Sequence, residues 1–459
     1  MEEVPEPFVV DSDVPSIEES AKLRLSGKLK RYIGRNLAIS TQVVFLVVCL
    51  FLFLFLFYPF APVNTSLGNI TLDLRWVSYP IAFTGLYISV GWIAYTFIGQ
   101  LPIGKMPKPR KFNPHGPLVS VLIPARNEEK VIQNILGDLE QQTYPFWEAI
   151  VVAHNCDDAT YDQAMEKGNS KVTVLRLDEG YGKPVALNYA VKYAKGEYVA
   201  VFDADTRIKP DFLEKIAPYL RDYDGVQARI TTSNTNRFMP SIIDLEWVCY
   251  TDLSESFGTK TGAFGLLGGT GQLVKRECLE KCGYWDEKML VEDYDLSISM
   301  MKNNYKIGFA YDASVYDEKP TRINSLLKQR ARWLRGNMQV VKKHSLGIWK
   351  LPNMHHLFIA NVGIFIVLYG LLLNGLHLLT GMWYNTFYFE FWWMLWIFQI
   401  GILWFRATSV RKAKGALLFP LFYLFSFHWI IAFFYMFKIK TWKESKTEHF
   451  GTDISFKTM

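Results

Sequence analysis

Two carboxylates, Asp203 and Asp205, follow the apolar run Tyr198–Phe202. Alternate residues of an extended chain point the same way, so both can face one site. Carboxylates that close repel unless a cation lies between them. Mg2+ or Mn2+ is commonly held by one or two carboxylates plus substrate phosphates. A capped turn is the plainer account, but the apolar lead-in favours a metal pair. A second acidic group, Glu292-Asp293-Tyr294-Asp295, opens a segment that reads as helix. Acids favour a helix N-terminus through its macrodipole. In the other reading Asp293 is a general base, its pKa raised by neighbouring carboxylates and partial burial. A third group is Gln329-Arg330-Ala331-Arg332-Trp333. Guanidiniums grip phosphate through a planar fork of donors, and indole faces stack on sugar rings. On a helix Gln329 and Trp333 share a face, with Arg332 beside them. The competing account is an amphipathic interfacial helix whose Arg and Trp lie at headgroup level.

Weaker clusters accompany these. Pro124-Ala125-Arg126-Asn127-Glu128 follows one apolar run, and Asn155-Cys156-Asp157-Asp158 follows the next. Neither is a Gly-rich phosphate loop, so a nucleotide here would be held by side chains and a metal. Asn and Asp after a strand are also favoured N-caps. Lys183, in Gly180-Tyr181-Gly182-Lys183, reads either as a phosphate or carboxylate ligand at a helix start or as a surface lysine. Gly268-Gly269-Thr270-Gly271 allows the close backbone approach that only glycine permits. It reads as the floor of a sugar pocket or as an ordinary loop.

The elements that must position these groups follow from periodicity. Leu118–Ile123, Trp147–Ala153, Val172–Leu177 and Tyr198–Phe202 are short apolar runs typical of buried parallel strands. Glu128–Gln142, Asp158–Lys167 and Lys183–Ala194 read as the intervening helices. Alternation of this kind implies a parallel sheet with both faces covered. Ligands then sit beyond the carboxyl ends of the strands, where the polar clusters fall.

The chain of 459 residues is 50% hydrophobic and 15% aromatic, which is apolar for a water-soluble domain. Five runs, Gln42–Phe60, Val77–Ile98, Leu357–Leu379, Phe389–Phe405 and Ala416–Phe437, approach the roughly 20 residues of a membrane helix. The first starts too deep in the chain for a cleaved signal peptide. Lys and Arg before the first run and after the second place both flanks in the cytoplasm. The sequons at Asn64 and Asn69 suit an exterior loop between them. Three C-terminal spans would leave the C-terminus outside, whereas Lys438, Lys440, Lys443 and Lys446 argue for inside. One C-terminal segment therefore reads as re-entrant or interfacial. The net charge of +6 belongs to these flanks, and no basic stripe with interleaved aromatics suggests nucleic acid. Five cysteines without a CxxC pair read as reduced, buried thiols.

With Asp157, Asp203-x-Asp205, Glu292-Asp293 and Gln329-x-x-Arg332-Trp333 in that order, the chain resembles a membrane-integrated family 2 glycosyltransferase of the cellulose, chitin and hyaluronan synthase type. The resemblance covers about Val119–Gly336. It implies an α/β GT-A catalytic domain with a Rossmann-like, mostly parallel sheet, inserted between transmembrane helices. It also implies inverting, metal-dependent transfer from a nucleotide sugar, with a UDP-sugar favoured and GDP-mannose the alternative. By that resemblance Pro124, Ala125, Asn127, Glu128, Asp157 and Lys183 serve the nucleotide. Asp203 and Asp205 hold nucleotide and Mg2+ or Mn2+, and Asp293 is the base. Gly269, Thr270, Glu292, Gln329, Arg332 and Trp333 serve the diphosphate and acceptor. The acceptor is a growing polysaccharide or a lipid, in contact with membrane lipids, and localisation is the plasma membrane with the catalytic domain cytoplasmic. Where many synthases have Thr-Glu-Asp this chain has Val291-Glu292-Asp293, and Gly269-Thr270-Gly271 resembles the mannan synthase branch or simpler bacterial and archaeal polymerases more than cellulose synthase. The tail Trp442–His449 resembles a Trp/Lys-Thr/His tail of some relatives and reads either as a segment folded back over the site or as a plain basic membrane flank.

The implied organisation is a polar and basic tail (1–37), two spans with an exterior loop (38–99), a GT-A domain (114–322), an interfacial segment (323–350), about three C-terminal segments (355–437) and a tail (438–459). Three functions compete: a processive synthase exporting a β-linked polymer, a non-processive transferase adding one sugar to a lipid, and an inactive membrane scaffold.

Overall fold

The computed structural model describes residues 64–67, 70–73, 116–262, 265–348, 386–425 and 428–439. Strands β1 (Asn64–Leu67) and β2 (Ile70–Asp73) pair as an antiparallel hairpin. The remaining strands are β3 (Val119–Ala125), β4 (Trp147–His154), β5 (Val172–Leu177), β6 (Tyr198–Val201), β7 (Arg207–Ile208), β8 (Gly225–Thr232), β9 (Gln272–Lys275) and β10 (Ile307–Asp317). They form one sheet in the order β5-β4-β3-β6-β9-β8-β10-β7. The first four strands run parallel, as the apolar runs require. β9 then enters antiparallel to both of its neighbours, which the sequence pattern did not signal.

Alternation along the strands builds two cores. Val119, Val121, Ile123, Ala149 and Val151 point to one face, where α1 (Ile132–Glu140) contributes Ile132, Ile135, Leu136 and Leu139. Leu122, Ile150, Val152, Val199 and Val201 point to the other. That face is covered from α3 (Lys183–Ala190), α7 (Arg276–Lys281) and α8 (Glu292–Lys302). Two short helices, α2 (Thr160–Met165) and α4 (Phe212–Ile216), complete the layers. Helix α5 (Phe238–Glu246) passes through a π-helical turn, Trp247–Thr251, into α6 (Asp252–Thr261).

Helix α9 (Ile323–Ile348) carries the Gln329–Trp333 group. It is docked on α8 by Asp295, which accepts from Lys343 Nζ and faces His344 Nε2, both at 2.8 Å. Its other side packs Leu327, Ala331 and Leu334 against Ala432, Phe433 and Met436 near α11 (His428–Tyr435).

Two expected membrane segments, Phe389–Phe405 and Ala416–Phe437, fall on α10 (Thr386–Phe425) and α11 and do not meet that expectation. Among the described residues no helix is long and apolar enough to cross a membrane. Helix α10 is broken at Lys412 (φ 50°, ψ −135°) and contains Pro420. Its basic side chains turn back onto α5 and the turn before it: Arg411 makes a two-pronged bond to Asp244 (2.5 and 2.8 Å), and Lys414 donates to the Thr235 carbonyl. Leu403, Ala407, Phe419 and Phe422 share a core with Ile242, Leu245 and Val248. The runs Gln42–Phe60, Val77–Ile98 and Leu357–Leu379, and the tail Trp442–His449, lie outside the described residues.

Among the described cysteines none is disulfide-bonded. Burial pushes the Cys278 thiol up to about 12, so these side chains behave as small apolar groups.

Candidate active site

A cavity of about 470 Å³ opens beyond the carboxyl ends of the parallel strands. Pro124, Ala125, Glu128, Lys183, Asp203, Asp205, Gly269, Thr270, Glu292, Asp293, Gln329, Arg332 and Trp333 all line it. Residues 200 apart in sequence are thus brought to one place.

The charged end is organised by Lys183, at the first turn of α3. Its Nζ lies 2.5 Å from Asp203 Oδ1 and 3.6 Å from Glu292 Oε1, and donates to the Gly269 carbonyl at 2.8 Å. Burial alone would lower this ammonium; Asp203, Glu292 and Asp293 outweigh it and raise its proton affinity. The surface-lysine reading is therefore excluded. Glu292 and Asp293 open α8. Burial pushes the Glu292 carboxyl up to about 7, with Lys183 opposing and Asp293 adding to the rise. Burial likewise raises Asp293, against Lys183 and the Tyr294 N–H that Oδ1 accepts at 2.8 Å. Arg332 approaches from α9, anchored through Nη1 to the Leu290 carbonyl at 3.0 Å. Burial lowers its pKa, and Glu292, Asp293 and Asp203 counter that shift.

The glycine loop is the floor between these groups. Gly269 sits at φ +81°, and a Cβ there would come within 2.9 Å of Asp293 Oδ2 and 3.3 Å of Lys183 Nζ. Only glycine brings the backbone this close at that φ. Thr270 Oγ1 accepts the Asp203 N–H at 3.1 Å and meets Thr206 Oγ1 at 2.7 Å, fixing the loop to the Asp203 turn. Gln227 clamps the loop from β8, accepting from Gly268 N and donating to the Thr270 carbonyl.

The opposite end is aromatic. Trp333 stands edge-on to Trp247 (6.3 Å) and tilted against Trp429 of α11 (6.4 Å). Arg330, two residues before Arg332, does not face the cavity. It is 1% exposed, lies 4.2 Å over the Trp333 ring and bonds Glu246 at 2.6 Å. Glu246 also accepts Trp429 Nε1 at 2.8 Å. The two guanidiniums of one motif thus divide the work: one holds the aromatic cluster, the other faces the carboxylates.

Asn127 and Asp157 do not line the cavity. Asn127 Oδ1 accepts the Asp157 N–H at 2.8 Å, so together they brace two neighbouring loops. Asp158 holds the turn that enters α2, its Oδ1 accepting Thr160 N at 3.0 Å. Several lining residues escaped the sequence reading: Gln227, Trp247, Glu255, Asp317 and Trp429. They stand singly along the chain, without a motif. Asp317 ends a strand, as Asp203 nearly does, which was the one available signal.

The carboxylates fit a divalent cation that completes its shell with substrate. Burial raises Asp317 to about 7, Lys319 opposing and Asp205 and Asp203 adding, so the three acids feel one another. Among the described residues no group of three His, Cys, Asp or Glu could hold a metal alone. Two carboxylates plus phosphate oxygens are the arrangement expected for Mg2+ or Mn2+.

Residues 115–336 match the family model "Glycosyltransferase like family 2". The chain is 27% identical over 360 residues to a probable glycosyltransferase, YdaM, of Bacillus subtilis, covering 72% of this chain and 84% of that protein. It is 32% identical over 231 residues to a beta-monoglucosyldiacylglycerol synthase of Trichormus variabilis, 49% of each chain. It is 29% identical over 272 residues to a poly-beta-1,6-N-acetyl-D-glucosamine synthase of Staphylococcus epidermidis, 57% of this chain and 65% of that one. The chain thus spans about half to two thirds of these two synthases. The fold is that of the mannosyltransferase PcManGT from Pyrobaculum calidifontis, solved with GDP-Man and Mn2+: TM-score 0.54 at 18% identity, over 74% of this chain and 99% of that one.

Proposed function

We propose, from the match of residues 115–336 to the family 2 glycosyltransferase model, that the protein is an inverting, metal-dependent polymerase that builds a β-linked polysaccharide from a nucleotide sugar. A UDP-sugar is the favoured donor and GDP-mannose the alternative. The observation that carries this reading is the single cavity in which Lys183, Asp203, Glu292, Asp293 and Arg332 converge beside three tryptophans.

The nucleotide lies by Pro124, Ala125 and Glu128, with Asn127 and Asp157 holding the loop. Asp203 and Asp205 would hold Mg2+ or Mn2+, which when bound neutralises diphosphate charge. The acceptor hydroxyl gives its proton to the Asp293 carboxylate. Its oxygen forms a bond to the anomeric carbon as the carbon–oxygen bond to diphosphate breaks, which inverts that carbon. Arg332 and Lys183 stabilise the departing diphosphate, and no protein nucleophile is needed. Trp333, Trp247 and Trp429 stack on the acceptor sugar, and Gly269 and Thr270 floor the reacting centre. Export follows from membrane anchorage through Gln42–Phe60, Val77–Ile98 and Leu357–Leu379, with the catalytic domain cytoplasmic. The exposed apolar side chains Phe405, Leu417, Leu424 and Phe434 of α10 and α11 suit a lipid-facing surface.

That surface and the glucosyldiacylglycerol synthase relative favour one second reading, transfer of a single sugar to a lipid. Purified protein is incubated with UDP-N-acetylglucosamine, UDP-glucose and GDP-mannose in turn, reading nucleotide release and product size. Polymer is expected; a product that stops at one sugar on lipid selects the second reading, and no release from any donor rejects both. Retention in the membrane pellet after alkaline carbonate is expected, and extraction would reject the anchorage.

A further inference from the structure

The π-helical turn between α5 and α6 gives one helical rod, Trp247 to Glu255, along the cavity wall. Such turns are frequent at functional sites. Trp247, Thr251 and Glu255 all face the cavity, and at helical rise the rod carries it roughly 12 Å from the tryptophan cluster. Glu255 is 4% exposed, and its Oε2 accepts the Leu266 N–H at 3.4 Å. Among the described residues no cationic side chain is paired with it. Asp252, one turn earlier, is the contrast: it bonds Arg229 and lies 3.6 Å from Arg406. A buried carboxylate without a cation is costly, so Glu255 keeps its proton; burial pushes it up to about 8, the Leu266 N–H opposing and Asp252 adding. A neutral carboxyl donates one hydrogen bond and accepts another, the pairing that a sugar hydroxyl returns.

We propose that Glu255 is an acceptor-binding residue: its carboxyl group hydrogen-bonds a hydroxyl of the sugar that receives the transferred unit, at the end of a track beginning on Trp333 and Trp247. This rests on the transferase reading above. Nothing in the three acidic motifs assigns Glu255 a part. It belongs to a helix of otherwise ordinary composition, where its burial and the cavity alone mark it.

The test uses the full chain in membranes that supply their own acceptors, with radiolabelled UDP-N-acetylglucosamine, UDP-glucose and GDP-mannose. Two quantities are read: release, meaning the nucleotide freed in excess of transfer, which water alone drives, and label transferred to lipid or polymer. Glu255→Leu should lower transfer about tenfold relative to release, the loss expected when a buried hydrogen-bond partner is removed. Glu255→Gln, which still donates and accepts, should stay within about threefold of wild type. An unchanged ratio in Glu255→Leu overturns the proposal. So does a parallel fall of release and transfer in folded protein, which would put Glu255 at the donor end, and so does a Glu255→Gln as impaired as Glu255→Leu. Should Glu255→Leu fail to accumulate, Glu255→Ala is read by the same criteria. Wild-type protein releasing no nucleotide from any donor rejects the transferase reading itself.

Discussion

The two ends of the cavity are built on opposite physical terms. At the charged end Lys183, Asp203, Glu292, Asp293 and Arg332 crowd together with few neutral neighbours between them. At the aromatic end the charges are already spent: Arg330 and Glu246 on each other and on two indoles, and Lys319 on Asp317 and the Trp247 ring. The first arrangement is held poised, because each group's protonation depends on the next. The second is rigid and offers faces instead of charge. A reaction that separates charge in one place and holds a neutral ring in another needs both.

That division can be broken residue by residue. The largest effect is expected from Asp293→Asn, which removes the base while keeping shape: turnover should fall about a thousandfold with nucleotide affinity unchanged, as titration of UDP or GDP by calorimetry would read. Unchanged turnover refutes its role as base. Arg332→Ala should cost about a hundredfold in turnover, since one buried donor to the leaving diphosphate is lost. The same change at Arg330 should behave differently. Glu246 would be left unpaired, costing about 3–5 kcal/mol of stability; a lower Tm with near-normal turnover per folded molecule is expected of Arg330→Met. Equal kinetic effects at both arginines would erase the distinction between them.

The smallest effect is in pH. Burial holds the Asp293 carboxyl above the ordinary carboxylate range, so activity should rise with pH through that raised value as the base loses its proton. Stability runs the other way. A carboxyl whose folded pKa exceeds its unfolded one binds more protons when folded, so its contribution is present below the unfolded value and lost as pH rises through the folded one. That window runs from 4.5 to about 7 for Glu292, from 3.8 to about 7 for Asp317 and from 4.5 to about 8 for Glu255. Thermal melts between pH 5 and 9 should show Tm falling, and less steeply in Glu255→Gln.

Much of the charged end was legible in the sequence, because its parts are local. An apolar strand running into Asp203 and Asp205, or paired acids opening a helix at Glu292, declares itself within ten residues. The parallel half of the sheet was legible for the same reason. The aromatic end was not. Trp247 and Trp429 are 182 residues apart, and both reach Trp333, the second because α11 packs on α9. The motif singled out Arg332, but nothing in the sequence signalled that Arg330 would be buried between Glu246 and the Trp333 ring. The apolar pattern of α10 and α11 reads as membrane span, and hydrophobicity alone does not record that it divides: Leu403 and Phe419 are covered by α5, while Phe405 and Leu417 stay exposed.

The most direct measurement compares Asp293→Asn with Trp333→Ala in one preparation, reading nucleotide release and sugar transfer together. In Asp293→Asn both should fall about a thousandfold, since water needs the same base. In Trp333→Ala transfer should fall about tenfold, the worth of one aromatic stack, while hydrolytic release, the nucleotide released in excess of transfer, stays within about twofold. If the two variants lose release and transfer in parallel, the cavity has no separate acceptor end and the division of labour drawn from its geometry is wrong.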